Sequence, residues 1–154
     1  MKQGFQIFII CVLFSGLMAC AQLRQVREMP INDINLSQLQ DGTYKGDFTY
    51  GFLGYDFTYE VETDIQSHRI KNIRVTKNRN TNHAKLAEDV IPRVIEAQSP
   101  NVDAHTGATT TSKALLKAIE ISLVKAIPGD QHEVSPLDSD KTDAETGATS
   151  MHHE

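Results

Sequence analysis

The sequence predicts a small α+β domain: an antiparallel three-stranded meander with two to three helices packed on one face. Three observations predict it. Phe57, Tyr59, Val61, Thr63 and Ile65 alternate with Thr58, Glu60, Glu62 and Asp64, the period-two pattern of a strand buried on one side. Leu115, Leu116, Ile119, Leu123 and Ala126 recur at three- and four-residue spacing, the pattern of a core-facing helix. Turn residues separate these runs at short intervals, so the strands are sequential neighbours.

The domain opens at Asp41-Gly42, a turn signal, and Thr43–Thr49 is rich in strand-forming Thr, Tyr and Phe. Tyr50-Gly51-Phe52-Leu53-Gly54 is a glycine-punctuated connection into the alternating strand. Gln66-Ser67-His68 reverses the chain, and Ile70–Lys77 returns it with Ile73 and Val75 facing inward. Arg79–His83 is a polar loop, in which a lone His83 is ordinarily a solvated residue. From Ala84 the residues Leu86, Val90, Ile91, Val94 and Ile95 form an apolar stripe. Pro92 lacks an amide donor, so a second helix is expected to start with Pro92 in its first turn. Gln98-Ser99-Pro100 ends it, and Pro128-Gly129 stops the last helix.

Composition excludes several functions. The formal charge is −5, with no basic patch interleaved with aromatics, which argues against nucleic acid. Both cysteines, Cys11 and Cys20, lie in the first twenty residues, so no disulfide framework holds the domain. No acid–base pair stands out. His152 and His153 form an incomplete metal site, and no metal is expected.

The stretch that carries chemistry is Asp103-Ala104-His105-Thr106-Gly107-Ala108-Thr109, followed by Thr110-Thr111-Ser112 and the last helix. A glycine turn flanked by hydroxyls at a helix start suits a phosphate, because the first amides are unpaired and the dipole favours negative charge. The same residues also read as a plain N-cap, with Gly107 supplying an unusual backbone angle. The pattern recurs at Asp143-Ala144-Glu145-Thr146-Gly147-Ala148-Thr149, within a tail otherwise poor in apolar residues.

This motif resembles the flavin attachment site of FMN-binding-domain proteins: Asp, two variable residues, Ser or Thr, then Gly-Ala-Thr. The resemblance runs from about Asp41 to Ala126 and includes Asp41-Gly42-Thr43-Tyr44-Lys45-Gly46, Ile91-Pro92 and Ala97-Gln98-Ser99. It implies FMN joined through its phosphate to the hydroxyl of Thr109, with Asp103, Thr106, Gly107 and Ala108 forming the sequence read by a periplasmic flavin transferase. That enzyme uses FAD as donor and a magnesium ion. Family members often carry an apolar residue where His105 stands, leaving open whether His105 touches the ring system or its phosphate. The second copy reads either as a degenerate duplication or as a second attachment site at Thr149.

The N-terminus reads as a targeting segment. Lys2 precedes an apolar run, Phe5–Leu17, that is short for a membrane span. It ends in Leu17-Met18-Ala19-Cys20, which resembles the lipobox of bacterial lipoproteins and implies lipidation at Cys20. The expected organisation is a signal peptide over 1–19, a polar tether over 20–40, the FMN-binding domain over 41–128, and a disordered acidic tail over 129–154.

The resulting expectation is an extracytoplasmic electron-transfer lipoprotein, held on a membrane by its lipid anchor. If the host has two membranes, it would sit on the outer one facing the periplasm. It would be a carrier and not an enzyme, with the flavin transferase and extracytoplasmic redox proteins as partners. The alternatives are a non-flavinylated binding lipoprotein of the same fold and the electron-input component of a membrane-associated reductase.

Overall fold

Helix α4 (Thr109–Val124) lies across a three-stranded antiparallel sheet whose strands stand in sequence order, and other described segments close around it. The computed structural model describes residues 21–129. Within them, residues 21–28 are helical and are termed α1. A 3₁₀ turn (Leu36–Gln38) follows, then β1 (Gly42–Phe52), β2 (Tyr55–Gln66), β3 (Arg69–Lys77), α2 (Asn82–Ala87), α3 (Val90–Ala97) and α4.

The sheet forms where the alternation requires it. On β2, Tyr59, Val61, Thr63 and Ile65 are buried against α4. The opposite face is held by cross-strand charge pairs: Lys77–Glu60 at 3.1 Å, Lys45–Glu62 at 3.4 Å, and Arg74–Glu62. These exposed pairs are worth little individually and serve mainly to define register. Ile70 is buried as well as Ile73, although an odd spacing should put them on opposite faces. A β-bulge resolves this: Ile65 pairs with Ile70 but Asp64 with Asn72, so Lys71 is the extra residue.

Gly46 lets the helix come close. A Cβ on this residue would stand 2.6 Å from the Ser122 amide nitrogen and 2.9 Å from Ser122 Cβ, and closer still to the Ala118 carbonyl oxygen. At the same contact, the Thr63 and Ser122 hydroxyls meet at 2.7 Å inside the core, and Ser122 donates onward to the Ile119 carbonyl.

Pro92 sits in the first turn of α3, as the sequence requires, after a break at Glu88–Asp89. The apolar stripe does not run unbroken through this break. Leu86, expected in it, is instead 43 % exposed, while Ala84 and Ala87 carry the buried face of α2 against α4. Gln98 ends α3 in the left-handed region (φ 53°), and its side-chain amide exchanges two hydrogen bonds with the Ile70 backbone at 3.0 and 2.9 Å. It thereby pairs one position on the edge of β3.

Residues 21–40, expected to be a tether, are folded onto the domain. Val26, Ile31 and Leu39 are buried in the core, with Leu23, Met29, Ile34 and Leu36 packed against it. Asn32 donates to Glu120 at 2.9 Å, Asp33 accepts from Ser99 and Asn101, and the Gln40 amide donates to the Ala126 carbonyl at 2.9 Å. Between α1 and the 3₁₀ turn, residues 29–35 run as coil. The cause of the packing is α4. Besides its leucine stripe it buries Ala114, Ala118, Ile121 and Ser122, so it is covered on nearly every side. A helix apolar all round must be enclosed, and the sheet encloses only part of it. Glu120, 5 % exposed on that helix, is met by Lys117 at 3.0 Å and by Asn32.

Candidate functional site

The loop between α3 and α4 carries Asp103, Thr106, Gly107 and Ala108 and delivers Thr109 as the first residue of α4. Gly107 adopts φ 87°, a left-handed angle that a side chain disfavours, and a Cβ there would meet nothing within 4 Å. The constraint is therefore the backbone angle alone. The Ala108 amide donates to the His105 carbonyl at 3.0 Å, closing the turn. The His105 amide donates to Ser112 Oγ at 3.2 Å, fastening the loop to the helix it precedes.

From the other side the loop is braced by the start of α3. Arg93 Nη1 donates to the Asp103 carbonyl at 2.9 Å, and its Nε to the Asp89 carbonyl at 3.2 Å. His105 Nδ1 lies 3.1 Å from Asp89 Oδ2. His105 is thus occupied by the protein itself. Asp103, Thr106 and Gly107 are exposed, Ala108 is buried, and Thr109 and Thr110 are half-buried.

No side chain caps α4. Ala108 occupies the N-cap position with φ −128° and ψ 26°, and it has no oxygen to offer the first-turn amides. The motif's hydroxyls do not fill the capping role, so the first-turn amides of α4 have no side-chain acceptor from the N-cap.

That end opens into a cleft of about 570 Å³. One wall is Gly107, Ala108, Thr109, Thr110 and Thr111; the facing wall is aromatic, from Tyr50, Phe52, Tyr55 and Phe57 at the β1–β2 end of the sheet. Tyr50 stacks on Tyr59 with ring centroids 6.0 Å apart and packs against Phe57 at 5.5 Å. Burial, and then the hydroxyl contact to Tyr59, push the Tyr50 phenol far up, so it stays protonated. The Arg79 guanidinium lies 4.3 Å over the Phe57 ring, placing a cation on the cleft wall. Leu53, His83, Leu23 and Arg27 complete the lining.

His83 lies on α2 rather than in a loop; it is exposed to solvent, as expected, and stands at the edge of the cleft. Arg79, the aromatic wall and the two α1 residues went unmarked in the sequence. Their shared signal was faint: the strand-end aromatics Tyr50, Phe52, Tyr55 and Phe57 crowd one hairpin more densely than a core requires. Cys20 and Thr149, with the histidines at 152 and 153, lie outside the described residues. Among the described residues, no three metal-ligating side chains come together, and no helix is long and apolar enough to cross a membrane.

The fold is a small α+β domain, and its cleft, with aromatic rings and a cation beside an uncapped helix end, suits a planar, anionic ligand. Residues 54–124 match the family model for the FMN-binding domain, so the chain carries a domain of that family. The match spans β2, β3, all of α2 and α3, the loop and α4; β1 precedes it. No curated protein matches the chain. Flavin binding follows from the family, and it is the reading the cleft independently fits.

Proposed function

We propose that this protein is an extracytoplasmic electron carrier whose FMN is joined through its phosphate to Thr109, and that Cys20 bears the lipid of a membrane-anchored lipoprotein. One observation carries the reading: Thr109 opens α4 on the lip of an aromatic-walled cleft, beside helix amides that no side chain caps.

The attachment is a single group transfer in the active site of a flavin transferase with its magnesium ion. Thr109 Oγ1 attacks the FMN-side phosphorus of FAD, a P–O bond forms, the pyrophosphate bond breaks, and AMP leaves while the hydroxyl proton is lost. The exposed loop of Asp103, Thr106 and Gly107 gives the transferase a segment to grip. Afterwards the first-turn amides would stabilise the phosphodiester charge by about 0.3–1 kcal/mol where exposed. Tyr50, Phe52, Tyr55 and Phe57 would shield the ring system from water, and Arg79 would favour negative charge on it.

Bound FMN supplies transfer of electrons singly or in pairs. The chain's own contribution is retention, orientation and field, which is a carrier's role rather than a catalyst's. Its partners would be extracytoplasmic redox proteins. The second motif offers the transferase a further hydroxyl at Thr149, and a second FMN there belongs to the same reading.

Coexpression with a flavin transferase tests it, with intact-mass measurement of the wild type and of Thr109→Ala and Thr149→Ala. Addition of one FMN group that disappears in Thr109→Ala supports a one-flavin carrier. Two groups, each removed by its own substitution, support two. No added mass beside a control substrate that is modified would overturn the reading.

A further inference from the structure

The proposed anchor and the folding of residues 21–40 together fix where the cleft must sit. We infer that the β1–β2 tip, Phe52-Leu53-Gly54-Tyr55, together with the cleft-facing side of α1, rests on the lipid bilayer, so that the flavin cleft opens at the membrane surface. This rests on the lipoprotein reading above.

A free segment of twenty residues would let the domain float well away from its anchor. Here that segment is spent: Val26 is 5 % exposed in the core, and α1 is already helical at residue 21, immediately after Cys20. Leu23 follows Cys20 by three residues in the sequence, and about 3 Å of helix rise separates it from residue 21. Leu23 and Arg27, one turn apart, line the same cleft as Leu53 and Tyr55. The lipid would therefore be attached next to the cleft wall itself, with almost no leash.

The surface there is suited to the interface. Among the described residues three large apolar side chains are exposed, and two of them, Leu53 (63 %) and Tyr55 (71 %), are on this tip. Leu53 is also conformationally misplaced for a water-facing turn. Leu53 and Gly54 are the two central residues of the hairpin, with φ 52° and 78°, a pair of positive angles that favours Asn-Gly. A leucine there is a cost to the turn, which a bilayer partner would offset. Arg24 is paired with Glu28 at 2.8 Å, but Arg27 on α1 is exposed and would bring positive charge to the headgroups, as interfacial helices do. Tyr55 presents an apolar ring with a polar tip, the character of interfacial aromatics.

The protein contains no tryptophan, so a single reporter can be read without background. The full chain would be produced without flavin transferase, so that no flavin absorbs the emission. It would be reconstituted into phosphatidylethanolamine–phosphatidylglycerol vesicles whose acyl chains carry bromine. Leu53→Trp and Tyr55→Trp test the tip. Gln66→Trp is the control, at the other end of β2 and about 36 Å away along the strand. Flotation with the vesicles, with emission of both tip reporters blue-shifted and quenched while the control is neither, is the expected result. Flotation with the tip reporters as unquenched as the control would overturn this inference and leave the anchor standing. Failure to float would overturn both.

Discussion

Adding one methyl group to Gly46 should measure how tightly α4 is set against the sheet. In Gly46→Ala the new Cβ would stand 2.6 Å from the Ser122 nitrogen and 2.9 Å from Ser122 Cβ, and nearer still to the Ala118 carbonyl. The obstacles include helix backbone, which cannot swing aside as the end of a long side chain can. Either β1 or α4 must move, and α4 is buried along Leu115, Leu116, Ile119 and Leu123. Overpacking a well-filled core costs about 1–3 kcal/mol and occasionally more, and a clash with backbone belongs at the upper end, about 3 kcal/mol. With a urea dependence of about 1.5 kcal/mol/M, the unfolding midpoint should fall by about 2 M. Because Thr109 begins the same helix, the displaced α4 should also accept FMN less completely in the presence of the transferase. Urea titration followed by circular dichroism, beside Gly51→Ala as an open-strand control, checks it. An unchanged midpoint in Gly46→Ala would show that the helix does not depend on this close approach.

Three further outcomes follow from the same geometry. Ser122→Ala should destabilise by about 2 kcal/mol in urea, because it strands the buried Thr63 hydroxyl that donates to Ser122; adding Thr63→Val should recover much of the loss. Stability should fall on the acid side of about pH 4. Hydrogen bonds from Ser99 and Asn101 depress the Asp33 carboxyl, and backbone amides of Ser67 and His68 depress Asp41. Carboxylates with lowered folded-state values contribute stability above their unfolded values and lose it as pH falls through the folded ones. Thermal unfolding across this range should accordingly show a shallower acid limb in Asp33→Asn. Finally, Arg79→Ala removes the cation over Phe57, and the loss of about 1 kcal/mol of field on the reduced flavin should lower its two-electron midpoint potential by about 20 mV in a spectroelectrochemical titration.

The parts of the fold governed by local periodicity were legible in the sequence. The alternation of β2, the turn at Ser67–His68, the placement of Pro92 in a first helical turn and the apolar stripe of α4 are all present as expected. What depended on long-range partners was not. Ile70 looked out of phase because a bulge at Lys71 cannot be read from spacing alone. Leu86 belonged to a stripe that the break before Val90 interrupts. Residues 21–40 looked like a tether because Leu23, Val26, Ile31 and Leu39 are spread among polar residues, and what they pack with is distant in sequence. The clue lay in α4 itself, where Ala114, Ala118, Ile121 and Ser122 offer little charge to water on the side away from the leucines. The loop from Asp103 to Thr109 was visible as a motif. The cleft was not, since its walls come from α1, the β1–β2 hairpin, Arg79, His83 and α4, which meet only when the chain folds.

The central claim is that FMN resides on Thr109, and tandem mass spectrometry of tryptic peptides tests it most directly. The two motif copies fall on separate peptides, 94–113 and 142–154, because cleavage follows Arg93, Lys113 and Lys141. From the mature protein coexpressed with a flavin transferase, the 94–113 peptide should carry the FMN group, with fragment ions placing it on Thr109. Modification confined to 142–154, or an unmodified 94–113 peptide beside a flavinylated control protein, would contradict the account.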